Sequence, residues 1–280
     1  MNGLNQEQSS TNNRTSRAQD SVALLNGLLH EVSAMKYDLS LLKEENRFLR
    51  SVVENNLDED ASYCPVCDTV SPQFMTHGHI PRAHSRCPSC GSLERHRAMW
   101  LIVQAETKVL EEPTKLLHFA PEKCLSKHFR KCPTLEYHTI DIVPGRADHC
   151  MDIQDLKFAD NSFDAIFCSH VLEHIPDDRK AIRELCRVLR PNGWAMIAVP
   201  QRQIPVQDEV EPTATTPELR LKFYCHAEHM RNYGIYFGQR LEEEGFNVVE
   251  HMNFQDRFDP RFAKRLRLNQ SRYYLAYKPA

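Results

Sequence analysis

The sequence predicts an α/β fold built around a parallel sheet, and residues 163–200 carry most of that reading. Ala165-Ile166-Phe167-Cys168 is an apolar run too short for a helix and suited to a strand buried on both faces. A helix is expected from about Pro176, with acids in its first turn and Ile182, Leu185, Val188 and Leu189 at helical spacing. Arg190-Pro191-Asn192-Gly193 should stop it, because proline cannot continue a helix and Asn-Gly turns tightly. Trp194 to Val199 then reads as a second buried strand. Strand, crossover helix and strand make a βαβ unit.

The 280 residues, 41% of them hydrophobic, hold one substantial core plus smaller pieces. A net charge of −3 argues against broad attraction to nucleic acid, though local basic patches can still form. No apolar run approaches the roughly 20 residues that span a bilayer, and the first residues lack the apolar core of a signal peptide. With ten cysteines, this predicts a reducing, cytoplasmic setting in which thiols serve metal or packing.

Residues 1–19 are polar and predict a disordered tail. Over 20–57 the pattern becomes heptad, with Leu25, Val32, Leu39 and Asn46 at a and Leu28, Met35, Leu42 and Leu49 at d. Glu31–Lys36, Asp38–Lys43 and Glu45–Arg50 are opposite-sign g-to-e pairs, the pattern of a parallel coiled-coil homodimer. Leu24, Leu29, Leu41 and Phe48 broaden the stripe, which also suits one amphipathic helix packed on its own domain. An acidic linker precedes Cys64-x-x-Cys67 and Cys87-x-x-Cys90. Two such pairs suit one tetrahedral structural Zn ion, each forming a knuckle that offers two thiolates, and this marks 61–95 as a zinc ribbon. Leu93 to Leu110 reads as a helix.

Two groups of residues carry a resemblance. FDAIFCSHVLEHIPD followed by RVLRPNG resembles the fourth and fifth strands of class I S-adenosylmethionine-dependent methyltransferases. CPSCGSLERHR resembles the zinc-ribbon lead-in that some bacterial members carry. The resemblance implies that 96–280 form a doubly wound, seven-stranded, Rossmann-like methyltransferase sheet that binds S-adenosylmethionine. Lys115 to Glu122 then stands at the first strand and its loop, but His118 replaces the usual acid, and Ala120, Pro121 and Glu122 stand where alternating glycines are usual.

By that resemblance Phe119, Ala120, Pro121 and Glu122 border the cofactor, with Glu122 meeting its ammonium group. Asp141, beside Ile142, accepts from the ribose hydroxyls. Asp152 accepts from the adenine amino group, Ile153 lies against the ring, and Ser169 and His170 close the edge. Residues 201–224, with three prolines, read as a lid. The candidate catalytic residues are His229, His170 and His174, with His229 favoured as the base because histidine titrates near neutral pH. Arg257, Arg261, Lys264, Arg265 and Arg267 form a basic patch that either attracts an anionic substrate or is simply solvated. The expected activity is methyl transfer to a small polar acceptor such as a sugar or nucleotide-linked sugar. The rival readings are an RNA base methyltransferase that grips RNA with the zinc module, and a non-catalytic scaffold, suggested by the missing glycines.

Overall fold

The computed structural model describes residues 39, 42, 43, 46, 50, 60–78, 80–251, 256, 258–269 and 271–280. They fall in two units, 1–47 and 48–280. The tail and most of the expected coiled-coil helix lie outside the described residues. Leu39, Leu42, Lys43, Asn46 and Arg50 are described, and all five are helical and exposed. Among the described residues, no helix is long and apolar enough to cross a membrane.

The second unit begins with two small antiparallel hairpins: β1 (Ser62–Cys64) with β2 (Thr69–Ser71), and β3 (Met75–His77) with β4 (Arg82–Arg86). Helix α1 follows at Glu94–Glu106, four residues shorter at its C-terminal end than the apolar pattern predicts, because Thr107 turns extended and caps it. Then come β5 (Thr114–Phe119), α2 (Lys123–Phe129), β6 (Leu135–Asp141), β7 (His149–Cys150) and β8 (Phe163–Ser169). A 3₁₀ turn at Leu172–His174 leads into α3 (Asp178–Val188) and β9 (Leu189–Ala198). The chain closes with β10 (Asp208–Glu209), α4 (Pro217–Tyr224), β11 (Asn232–Tyr233), α5 (Phe237–Glu243), β12 (Asn247–His251), α6 (Pro260–Leu266) and β13 (Tyr273–Tyr277).

The central sheet has seven strands in the order β12-β13-β9-β8-β5-β6-β7. β5 to β9 are parallel, while β13 runs antiparallel between β9 and β12. This is the expected α/β architecture. Ile182, Leu185 and Val188 of α3 are fully buried with Ile166 of β8 and Ile197 of β9, as the helical spacing and apolar runs require.

Arg190 to Gly193 behave differently from the expected turn. The helix does end at Val188, but β9 starts at once with Leu189 opposite Phe163. The ladder shifts register before Trp194, so the four residues form an irregularity inside the strand. Tertiary bonds hold them there: Asn192 N–H donates to Lys278 O (3.0 Å) and Lys278 N–H donates to Gly193 O (2.9 Å). A Cβ on Gly193 would lie 2.8 Å from Asp164 O, so only glycine fits.

The cysteine-bearing segment packs into the same unit through Arg97, which is fully buried. Its guanidinium donates to Leu266 O (2.8 Å), Arg267 O (2.7 Å), Ser85 O (3.1 Å) and Ser92 O (3.0 Å). Two residues of the expected basic patch make contacts near that segment. Arg267 also donates to Ser62 Oγ (3.0 Å), and Lys264 pairs with Asp60 (2.9 Å).

The expected lid is tied down by a buried ion cluster. Asp178 accepts from Arg231 (2.5 Å), Arg240 (2.6 and 2.8 Å) and Tyr233 Oη (2.7 Å), and Arg240 also reaches Asp208 (2.5 Å). β10 pairs with β11, so residues 201–224 carry structure of their own, including α4, and are not a bare loop.

Candidate functional site

The sheet order reverses between β5 and β8, and open α/β sheets bind ligands at such a point, beyond the carboxyl ends of the strands. A cavity of about 580 Å³ lies there. Of the expected cofactor contacts, Phe119, Ala120, Asp141, Ile142, Asp152, Ile153 and His170 line it. Asp141 uses Oδ1 to accept from Val143 N–H (2.8 Å), an Asx turn that fixes its carboxylate at the end of β6. Ile142 is 65% exposed at the mouth, an apolar surface an aromatic ring can cover. Asp152 is more committed, since Gln154 donates to it from its backbone N–H (2.8 Å) and from Nε2 (3.0 and 3.2 Å). Ala120 and His170 both adopt positive φ, 44° and 54°, a conformation uncommon outside glycine and concentrated at ligand clamps.

Three expected contacts are not brought to the cavity: Pro121, Glu122 and Ser169 do not line it. Ser169 is buried at the end of β8. Glu122 turns inward, its Oε2 2.7 Å from His118 Nε2 and its Oε1 3.6 Å from His96 Nε2. Burial raises its carboxyl, but the His118 hydrogen bond and charge outweigh that and hold it at about 2. Tyr137 Oη lies 2.8 Å from His118 Nδ1, so the histidine that replaces the strand-end acid is fixed on both nitrogens. Glu122 is thus engaged by His118 and His96. Nothing local in the sequence pairs Glu122 with His118, although their i,i+4 spacing is a signal of sorts.

A second, polar cavity of about 280 Å³ shares His170 with the first. Arg82, Arg95, Gln201, Ser271 and Arg272 line it, and sequence reasoning singled out none of them for a site. Arg82 is paired with Glu94 and Arg272 with Glu250. Arg95 has no ion pair among the described residues. His170 Nδ1 lies 3.0 Å from Oε1 of Glu173, whose side chain is fully buried. When Nδ1 carries the ring proton, it donates to this carboxylate.

His174 lines the larger cavity, with Arg220, Glu228 and Met230 from the lid side. His229 does not line it and stands with His174 and His226 in a cluster of three rings. Burial, partly opposed by the Glu173 carboxylate and reinforced by the neighbouring histidines, pushes His229 down to about 4.

The four cysteines converge as their spacing requires. Sγ–Sγ distances are 3.6 Å for Cys64–Cys90 and 3.7 Å for Cys67–Cys87. All four sulfurs lie within 4.8 Å of one another, and none is in a disulfide. Tetrahedral Zn–S bonds of about 2.3 Å put sulfurs about 3.8 Å apart, so this donor set fits zinc.

Comparison with known proteins agrees with this geometry. A family profile described as "Methyltransferase domain" matches residues 122–197. The chain is 32% identical over 117 residues to the demethylmenaquinone methyltransferase of Listeria welshimeri, covering 41% of this chain and 44% of that protein. It is 30% identical over 115 residues to methyltransferase GfsG of Streptomyces halstedii, covering 39% and 37%. The chain thus spans less than half the length of these curated relatives. Among solved structures, YcgJ from Bacillus subtilis superposes with a TM-score of 0.45 at 16% identity, covering 66% of this chain and 99% of that one. Residues 122–197 thus match a methyltransferase domain, and the relatives that share this part of the chain are methyltransferases.

Proposed function

We propose that the chain methylates a small, oxygen-rich anionic acceptor, such as a sugar phosphate or nucleotide-linked sugar, with His170 as the proton acceptor. One observation carries this reading: His170 borders both cavities while a buried carboxylate holds its other nitrogen. The larger cavity falls within the roughly 300–1,000 Å³ of small-ligand sites. S-adenosylmethionine, when bound there, supplies an electrophilic methyl group. Asp141 accepts from the ribose hydroxyls, Ile142 and Ile153 cover the adenine, and Asp152 meets the adenine amino group. In the smaller cavity Arg95 and Arg272 hold the acceptor's negative charge, and Gln201 and Ser271 meet its hydroxyls. His170 Nε2 takes the acceptor proton while Glu173 keeps the ring in register. The relative named for demethylmenaquinone agrees with a small acceptor.

Calorimetry with S-adenosylmethionine, paired with transfer of labelled methyl to a panel of sugar phosphates and nucleotide sugars, tests this. Asp141→Ala should weaken cofactor binding by about 1.5–3 kcal/mol, the scale of hydrogen bonds to a charged group. His170→Ala should leave binding near the parent's and slow transfer by about 10²–10⁴. Parent protein that binds no cofactor at millimolar concentration is a scaffold. Equal turnover in His170→Ala removes the base assignment.

The same reading gives the chain a pairing helix (20–57), a zinc ribbon (61–95) and a catalytic domain (96–280) in a cytoplasmic homodimer. The exposed helical positions Leu39 and Leu42, at 53% and 60%, support pairing with a second copy. Light scattering should give a dimer for the full chain and a monomer once 1–57 are removed. A full chain that is monomeric at tens of micromolar rules the dimer out.

A further inference from the structure

Met230 N–H donates to Glu173 O at 2.8 Å, tying the segment after α4 to the 3₁₀ turn. That bond brings three imidazoles together. Ring centres lie 4.9 Å apart for His174–His229, 5.5 Å for His174–His226 and 4.4 Å for His226–His229. One ligating nitrogen from each lies within 4.8 Å of the others. Among the described residues, only the four cysteines form another group of this kind.

The centre-to-centre spacing suits rings around one ion once the His226 and His229 rings, stacked here with 23° between their planes, turn edge-on to it. Metal–nitrogen bonds of about 2.0–2.1 Å place a ring centre about 3.2 Å from the metal, so angles of 90–120° separate centres by about 4.5–5.5 Å. The three observed distances lie within about 0.1 Å of that range at its lower end and inside it otherwise. Protein hydrogen bonding does not account for the cluster. Among the described residues, neither His174 nor His229 makes a side-chain hydrogen bond, and His226 makes one long contact, accepting from Glu228 N–H at 3.2 Å. Glu173 is the nearby buried carboxylate that acts on His229 and His174, and its oxygens are not part of the cluster.

We propose that His174, His226 and His229 hold a divalent transition-metal ion of the zinc class at the edge of the larger cavity. Three neutral imidazoles leave the ion's charge intact and at least one coordination position open, the pattern of a catalytic site and unlike the closed four-thiolate site. His174, Glu228 and Met230 line the cavity, so the open position is within reach of an oxygen on whatever occupies it. Imidazole favours zinc, cobalt, nickel and copper over magnesium. Binding turns the stacked His226 and His229 rings apart and displaces the Glu228 contact to His226 Nδ1.

Cobalt(II) alone is the probe, added to full-length protein whose cysteine site is loaded with zinc. The parent should take up one equivalent, with visible d–d bands and without the intense near-ultraviolet charge transfer of thiolate ligation. His226→Ala and His229→Ala should each weaken uptake at least about a hundredfold, exceeding the 10–100-fold cost of losing an outer-shell partner. Millimolar magnesium should not compete. An unchanged thermal transition in His226→Ala, at an exposed position, confirms that loss of cobalt is not loss of fold. Parent protein with no uptake beyond the cysteine site overturns the assignment, as do variants that bind as the parent does. The readout is metal, so it stands whether or not methyl transfer is found.

Discussion

Replacing Asp178 by alanine is expected to cost about 3–5 kcal/mol, the range for removing one partner of a buried ion pair. Asp178 is 2% exposed and touches two guanidiniums and a tyrosine hydroxyl, all largely buried. Removing it leaves Arg231 and Arg240 with only Asp208 as counter-charge. A domain of this size has about 5–15 kcal/mol to lose. The same residues tie β10 and β11 to α3, so the side of the cavity formed by Arg220, Glu228 and Met230 should loosen and cofactor affinity should fall too. Arg183→Ala is the matched control. Its pair with Glu244 is half exposed on the arginine side and should contribute no more than about 1 kcal/mol. Urea denaturation of both variants measures the difference, and an Asp178→Ala loss below 1 kcal/mol contradicts the account.

If the four cysteines hold zinc as proposed, Cys87→Ser should abolish its uptake and unfold the cysteine module, because in small sites metal affinity is folding free energy, on the order of 10 kcal/mol. The loss should spread. Two of the four carbonyls that hold Arg97, Ser85 O and Ser92 O, belong to that module, and the other two, Leu266 O and Arg267 O, end α6. Without the module, a buried guanidinium loses half its acceptors. Metal analysis should fall from near one equivalent at the cysteine site to near none, and hydrogen exchange should rise both in 61–95 and around α6. Cys225→Ser, at an exposed position, should change neither. Stoichiometric zinc at that site after all four cysteines are changed would end the assignment.

Much of the cavity lining was legible because it is written locally. Strand-end positions follow from apolar runs and helix stops, so Asp141, Asp152 and His170 could be placed before any coordinates, and all three line the cavity. Glu122 could not be placed that way. Whether a carboxylate at a helix start faces a ligand or a core depends on what lies beneath it, and here His118 and His96 lie beneath it.

By itself, the sequence determined the main strands of the central sheet, the βαβ unit at its centre and the four-cysteine spacing. Each depends on periodicity or separations of a few residues, which short-range sterics and ligand geometry fix. Only the tertiary structure decided what distant residues do together. Arg97 meets Leu266 from 169 positions away, and Asp178 meets Arg240 from 62. The polar cavity joins Arg82 to Arg272, and the histidine cluster joins His174 to His226 and His229. Such meetings arise when separate segments bury their faces on one sheet, and no local pattern encodes which side chains will then converge.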